Sequence, residues 1–559
     1  MSRDQTIAAF FMICWCAFWI VRIFMWLPLD CIVYVLTRLC RSSRGQCSRF
    51  AAVGFCLMIP CLVEAQDADQ TLLLVDDRHI LYRSGTERFL HPTTRHSANP
   101  VIAETKPWEV AIAWTTVHYN SETGQYQAWY QAYGGPGSPQ PQCVTCYATS
   151  KDGVHWLKPD LGLFPYGDIE RTNIVMVGNG GHSLRYGNGV AFDPRDPNPA
   201  RRYKMAYFDF SVGGKQSMPG LFVAFSPDGI HWQRPDIPMP LMPTAYGDYE
   251  DPLPLRNQPG REWAVPLSIA DAHDIYYDTN RQAFVDVAKM WIDGPDGKMF
   301  WKHGIGRSES KDFIHWSKPQ LILTPDEHDA PHVEFHTAPV FEYAGYHFCL
   351  AQILNRAENG GVMDVELMIS HDGFSWNRPF RNTFFFSREG ADNFDRGSIF
   401  TNSTPVILKD EIRFYYGAYS LGATGADDTQ QESGVGFFTI PRDRFAGIRP
   451  VALSDQATLR TPRHHVGQVT LKLLPLSKMQ SITLNADATD GKIHVELLDA
   501  DGYRVEGYTR EDALPITGNG LRHLVKWRDR SLVDLPKGDY MMRIHLNQAS
   551  LFAVDLMDE

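Results

Sequence analysis

Ser150-Lys-Asp-Gly-Val-His-Trp-Leu-Lys-Pro159 is a phrase that this chain repeats. The pattern Ser-x-Asp-Gly-x-x-Trp-x-x-Pro returns at Ser226, Asp228, Gly229, Trp232 and Pro235, and again at Ser370, Asp372, Gly373, Trp376 and Pro379. A looser copy at Ser310, Asp312, Trp316 and Pro319 carries Phe313 in the glycine position. The starts lie 76, 84 and 60 residues apart. So long and uneven a period predicts one supersecondary unit per repeat, with loops of variable length inserted.

Each copy follows a strand-like run, for example residues 220–225 and 365–369. The Asp is expected to accept hydrogen bonds from backbone N–H groups just beyond it, and the Gly to supply a positive φ without steric cost. The Trp offers an apolar plate to neighbouring units, with an N–H that needs a partner. The Pro belongs at an edge or an exit, because it cannot donate to a sheet ladder. These are structural duties, and they make the phrase a turn that closes a sheet.

Working outward, the stretches upstream of each phrase form recurring triplets of short strands. The first unit has 113–120, 126–133 and 146–149; the second 189–193, 203–208 and 221–225. The third has 275–278, 283–291 and 304–307; the fourth 338–342, 346–354 and 365–369. A fifth, 405–408, 412–419 and 434–440, lacks the phrase. Five units of about four strands predict an all-β chain with a five-bladed β-propeller over residues 72–450. The leading segment 72–76 is expected to close the ring against the last blade. After Gly447-Ile-Arg-Pro450 the strand pattern changes, and residues 451–559 read as a small C-terminal β-sandwich.

The first 65 residues differ from the rest. Arg41, Arg44 and Arg49 precede the apolar run 50–63 and then Val63-Glu64-Ala65, the layout of a secretory signal with cleavage before Gln66. The alternative is that the apolar run 7–28, interrupted by Arg22, stays as a membrane anchor, the only membrane contact expected. The chain is therefore expected to be secreted or periplasmic. Seven of the ten cysteines lie in this leader, leaving Cys143, Cys146 and Cys349. Cys143 and Cys146 form a C-x-x-C without a second pair, which reads as a local disulfide or two ordinary thiols rather than a zinc site.

The net charge is −12, and the leader holds six Arg against three acids, so the remainder carries −15. An acidic body with no basic block argues against a nucleic-acid partner. It suits a neutral or cationic ligand.

In a propeller the first strand of each blade lines the central channel, so acids at the starts of those strands converge from distant positions. The candidates are Trp108-Glu109 before the first inner strand and Asn188 in the second blade. Ahead of the third lies Glu250-Asp251-Pro252, with Asp271-Ala-His273-Asp274 at the strand itself. Glu334-Phe-His336 precedes the fourth and Asp395-Arg396-Gly397 the fifth. Carboxylates sharing one polar funnel push their pKa values apart, the division of labour that glycoside hydrolysis requires. Glu334 is the expected acid, Asp251 and Asp274 compete as its partner, and Glu109 and Asp395 stand behind them. Trp108, Asn188, His273, His336 and Arg396 are the expected substrate-binding residues. No cofactor or catalytic metal is expected; a structural cation held by His273 or His336 in the channel is the one exception considered.

On these residues the chain resembles the five-bladed propeller glycoside hydrolases, the superfamily of invertases, fructosidases, arabinanases and xylosidases. Glu250-Asp251-Pro252 resembles their x-Asp-Pro motif, which implies a transition-state or pKa-tuning role for Asp251. Glu334 sits where those families carry an acid/base glutamate, and Asp395-Arg396-Gly397 resembles an Asp-x-Gly that binds substrate. The Asn-Asp-Pro-Asn-Gly of invertases is absent, and their Glu-Cys-Pro is Glu334-Phe335-His336 here. The resemblance is to a superfamily rather than one enzyme. A sialidase-like hydrolase and a non-catalytic glycan-binding propeller are the alternative readings, though a sialidase arginine triad has no recognisable spacing among Arg185, Arg256 and Arg396.

Overall fold

The computed structural model describes residues 70–183, 186–211, 218–243, 269–292, 302–357, 361–381, 383–388, 390, 393–423, 432–451 and 466–558. The expected leader lies outside them. Among the described residues, regular structure is β-strand with a few 3-10 turns such as Pro199–Arg201, and no helix is long and apolar enough to cross a membrane.

The repeats fold as antiparallel meanders. The first blade is Ala111–Asn120, Gln125–Tyr133, Cys143–Ser150 and Ile174–Met176, paired in that order. The second is Tyr186–Phe192, Tyr203–Phe210, Pro219–Ser226 and Met242–Pro243. The third is Ile269–Asp278, Ala283–Ile292, Lys302–Ser310 and Gln320–Leu323. In the fourth, Val333–Phe335 and Val340–Tyr343 are two halves of one broken inner strand; both pair with Tyr346–Asn355, which pairs with Val362–Ser370. The fifth has the same break: Ser398–Phe400 and Val406–Ile407 share the partner Glu411–Tyr419, followed by Ser433–Pro441. Neighbouring blades touch in sequence order, and the fifth returns to the first through Glu411–Tyr419 against Ala111–Asn120. The ring is closed, and the chain is a β-propeller.

Ring closure differs from expectation. Thr94–Arg95 and Ile102–Ala103 supply the outer strand of the fifth blade, pairing with Ser433–Pro441. The strand Gln70–Leu73, which overlaps the segment 72–76 expected in that role, pairs instead with Ser550–Met557 in the C-terminal sheet. Its pattern explains this: Leu72 and Leu74 enter the C-terminal core while Leu73 and Val75 face blades four and five. A strand buried on both faces belongs between two layers rather than at a rim.

The C-terminal strands, joined by Thr86–Leu90, Ile80–Ser84 and Ala446–Pro450, form a nine-stranded antiparallel sheet over one core that includes Ile448, Val469, Leu484, Trp527 and Ile544. Ser481–Leu498 is a single 18-residue strand; its halves pair with different partners, Ser550–Met557 and Met541–Asn547. Buried Arg444 pins the module to the propeller through the Asn485 and Asn519 side-chain oxygens, at 2.8 and 2.7 Å.

The repeated phrase does what its chemistry dictates. Asp152 Oδ1 accepts from Val154 N and His155 N at 2.8 Å each, and Ser150 Oγ accepts from Gly153 N at 2.9 Å. Trp156 Nε1–H donates to the carbonyl of Gly153 in its own turn, 3.1 Å away. The glycine face docks on the preceding blade: Tyr415 donates to Gly153 O at 2.9 Å, and Trp129 to Gly229 O at 2.6 Å. Cys143 and Cys146 are buried and form no disulfide. Three residues apart in one strand, they point to opposite faces and cannot bridge.

Candidate active site in the propeller funnel

The inner strands run the same way, so their first residues ring one mouth of the channel and their last residues ring the other. At the first mouth, blades three and four bring together Asp271, Lys289, His303, Glu334 and His336. Lys289 enters from the end of the second strand of blade three, and His303 from the start of its third.

Two ion pairs make up the cluster. Glu334 Oε2 accepts from His303 Nδ1 at 2.5 Å and from His303 N at 3.3 Å, while Oε1 accepts from Arg356 Nε at 3.1 Å. Burial pushes this carboxyl up, but the bonds to His303 and Arg356 outweigh it and hold the pKa down at about 2. His303 is itself held near 4 by burial and by the Lys289 charge. At neutral pH the pair is therefore a carboxylate receiving Nδ1–H from an uncharged imidazole, whose Nε2 is buried with no hydrogen-bond partner. Asp271 lies 2.5 Å from Lys289 Nζ. Burial raises its pKa, and the Lys289 charge reverses that to a net lowering.

Aromatic rings wall the cluster. His336 stacks on Trp114 with centroids 5.5 Å apart, and its Nδ1 lies 3.1 Å from Gln352 Oε1. Burial, then Lys289, keeps His336 well below the usual histidine range, so it too is neutral. Trp114 has φ 46°, a left-handed conformation at a bulge in the first inner strand. A non-glycine residue held there carries strain of order 1–3 kcal/mol, and such positions gather at ligand sites. Trp291 covers His303 with ring centroids 3.8 Å apart.

The channel is plugged below this cluster. Asp274 Oδ1 accepts from Ser403 Oγ at 2.6 Å, and Oδ2 from Ser403 N at 3.1 Å. Burial raises this carboxyl to about 7 against the Ser403 and Ile275 hydrogen bonds.

No family model matches the chain, and no curated protein matches it. Solved structures that resemble it include one described as a glycoside hydrolase, at 12% identity and TM-score 0.42, covering 67% of this chain and 95% of that one. A glycosyl hydrolase from Bacteroides ovatus has 15% identity and TM-score 0.40 and covers 62% and 94%. A family 43 arabinoxylan arabinofuranohydrolase from Bacillus subtilis in complex with cellotetraose has 13% identity and TM-score 0.37 and covers 84% and 99%. The fold assignment rests on the strand pairing, not on these likenesses.

The other expected residues are dispersed. Glu109 is buried in blade one, where Lys158 (2.6 Å), Tyr130 (2.8 Å) and the backbone N–H groups of Thr105 and Lys106 occupy its oxygens. Trp108 lies beside it, fully covered, donating to Asn173 at 3.1 Å. Asp395 is sealed at the closure seam between Arg95 and Tyr416. Glu109 and Trp108 are structural: a carboxylate or ring saturated by its own blade presents nothing to a ligand, while Asp395 is fully buried at the seam. Arg396 is paired with Glu432 at 2.7 Å. His273 turns to Asp286 at 3.1 Å, leaving Nε2 buried without a hydrogen-bond partner. Asp251 and the side chain of Asn188 lie outside the described residues. Glu334 keeps its place, held ionised by His303 and Arg356.

Sequence reading passed over Lys289, His303, Arg356 and Trp114. Lys289 alone had a usable signal, a cation in the otherwise apolar run Ala-Lys-Met-Trp at 288–291.

Proposed function

We propose that the chain is an exported glycoside hydrolase acting on a neutral glycan, built as a five-bladed propeller with a C-terminal β-sandwich. The observation that carries this reading is the buried pairing of Glu334 with His303 and Arg356 beside Asp271–Lys289 at the channel mouth. Two carboxylates kept ionised by built-in cations and imidazole donors are costly to bury and are poised to stabilise a cationic, oxocarbenium-like transition state. Glu334 serves as base or nucleophile, with His303 orienting it through Nδ1–H. Asp251, in Glu250-Asp251-Pro252 ahead of the third inner strand, keeps the pKa-tuning role that its resemblance to x-Asp-Pro implies. Asp271 takes the transition-state role, and Trp114, Trp291 and His336 offer surfaces for a sugar ring. No cofactor is required; His273 Nε2 and His303 Nε2 are the atoms a channel cation would use.

The test is turnover by the chain purified from Gln66 onward on a panel of aryl glycosides and polysaccharides, beside Glu334→Gln. Hydrolysis by the parent and its loss in the variant support the reading. Glycan binding without turnover would move the assignment to a binding module, and unchanged turnover in the variant would remove Glu334 from the chemistry.

A further inference from the structure

The other mouth of the channel, where the inner strands end, opens into a cavity of about 680 Å³. At its edge, where blade three meets blade four, we propose that Asp278, Glu342 and His347 form a binding site for one divalent transition-metal ion. This inference is independent of the funnel reading.

Asp278 is the last residue of the inner strand of blade three. Glu342 and His347 face each other across the tight Ala344-Gly345 turn of blade four, as register partners. One donor atom from each of the three residues lies within 4.8 Å of the others. His347 Nε2 is 3.2 Å from Glu342 Oε1 and 3.5 Å from Asp278 Oδ2. A tetrahedral ion with ligands at about 2.0–2.2 Å sets its donor atoms roughly 3.3–3.6 Å apart, so these edges are those of a coordination shell.

The donor atoms are also short of partners. Asp278 Oδ2 and both ring nitrogens of His347 are buried and meet the geometry of no hydrogen bond. Buried polar atoms are rarely left so. Outer contacts nonetheless aim the carboxylates: Asp278 Oδ1 accepts from Arg281 N at 2.9 Å, and Glu342 from Thr279 N at 2.9 Å and Thr279 Oγ1 at 2.5 Å. Such orienting bonds are the usual second layer of a metal site.

Charge leaves room for a cation. Arg307 Nη2 is 3.6 Å from Asp278 Oδ2, yet its Nη1 is engaged by Glu309 at 3.0 Å, and Glu309 also binds Arg281 at 2.7 Å. Three carboxylates, Asp278, Glu342 and Glu309, face two guanidinium groups, Arg307 and Arg281. One imidazole and two carboxylates suit Zn²⁺ or Mn²⁺, and Glu342, which lines the cavity, leaves an open position toward it.

The test uses the full exported chain, stripped with EDTA and titrated with Zn²⁺ by calorimetry, and with Co²⁺ by visible absorption. One ion per chain is expected, with the intense absorption of four-coordinate Co²⁺. His347→Gln and, at the half-buried position, Glu342→Gln are each expected to weaken binding at least tenfold, while His303→Gln in the funnel leaves it unchanged. Absence of stoichiometric binding by the parent would overturn the proposal. So would binding that survives both variants, or that disappears in His303→Gln.

Discussion

Asp274 and Ser403 clasp across the propeller axis, joining blades three and five, which are not neighbours in the ring, through hydrogen bonds of 2.6 and 3.1 Å. The break in the inner strand of blade five frees Ser403 to reach inward. This clasp divides the channel into a funnel above and a cavity below.

The clasp predicts a pH dependence. The folded-state pKa of Asp274, about 7, stands above the roughly 3.9 of an unfolded aspartate. Its contribution to stability is thus fully present below pH ~4 and is lost as pH rises through about 7. Asp274→Asn, which cannot ionise, is expected to gain on the parent by on the order of 2–4 kcal/mol between pH 4 and pH 8. Urea unfolding at the two pH values measures this; a constant difference between the two proteins would refute it.

Glu334→Gln separates chemistry from architecture. The amide can still accept from His303 and leaves Arg356 at the half-exposed rim, so a stability cost of about 1–3 kcal/mol is expected. Turnover on any substrate found is expected to fall at least a thousandfold, on the order of 4 kcal/mol in the barrier. Comparable losses from Glu109→Gln would contradict the placement of Glu109 in the blade core.

Lys289→Met strands a buried Asp271 charge, which costs about 3–5 kcal/mol when one partner of such a pair is removed. Adding Asp271→Asn is expected to recover most of it. Thermal unfolding of the two single variants and the double variant gives the coupling; additive effects would mean the 2.5 Å contact carries no energy.

Phe313 occupies the glycine position of the third phrase with φ 67°. Restoring the repeat by Phe313→Gly relieves roughly 1 kcal/mol of backbone strain. It also empties a fully buried site where the ring meets Phe225, Phe284 and Trp316. Loss of a core Phe costs about 3–5 kcal/mol, so the substitution is expected to destabilise by a net 2–4 kcal/mol. Conversely, Gly229→Ala would press a Cβ within 2.5 Å of the Trp129 ring at φ 78° and is expected to destabilise as well. A stabilised Phe313→Gly in a melting experiment would show that the ring contributes nothing.

The turns were legible because their causes are local. An Asp accepting from the next two or three backbone N–H groups, and a Gly at positive φ, need only residues within a few positions of one another. The strand triplets were legible by alternation and spacing, to within two or three residues in most blades. The inner strand of blade five was placed at 405–408, and its funnel end, Ser398–Phe400, was missed because three buried residues hold no period to read.

The site was legible only in part. Glu334, His336, His273 and Asp274 were singled out as residues at the starts of inner strands, a consequence of propeller phase. What each side chain does there was not available. Glu109, Trp108 and Asp395 sit in equivalent places in the sequence and are consumed by Lys158, Asn173 and Arg95, from 49, 65 and 300 positions away.

The sequence by itself determined the repeat, its phase and the all-β class, since these follow from hydrogen bonds and periodicities a few residues long. Only the tertiary structure decided which acids keep a free face, which are neutralised by a distant cation, and which strand closes the ring. Those outcomes depend on burial and on charges brought within a few ångströms by folding, and both act through space rather than along the chain.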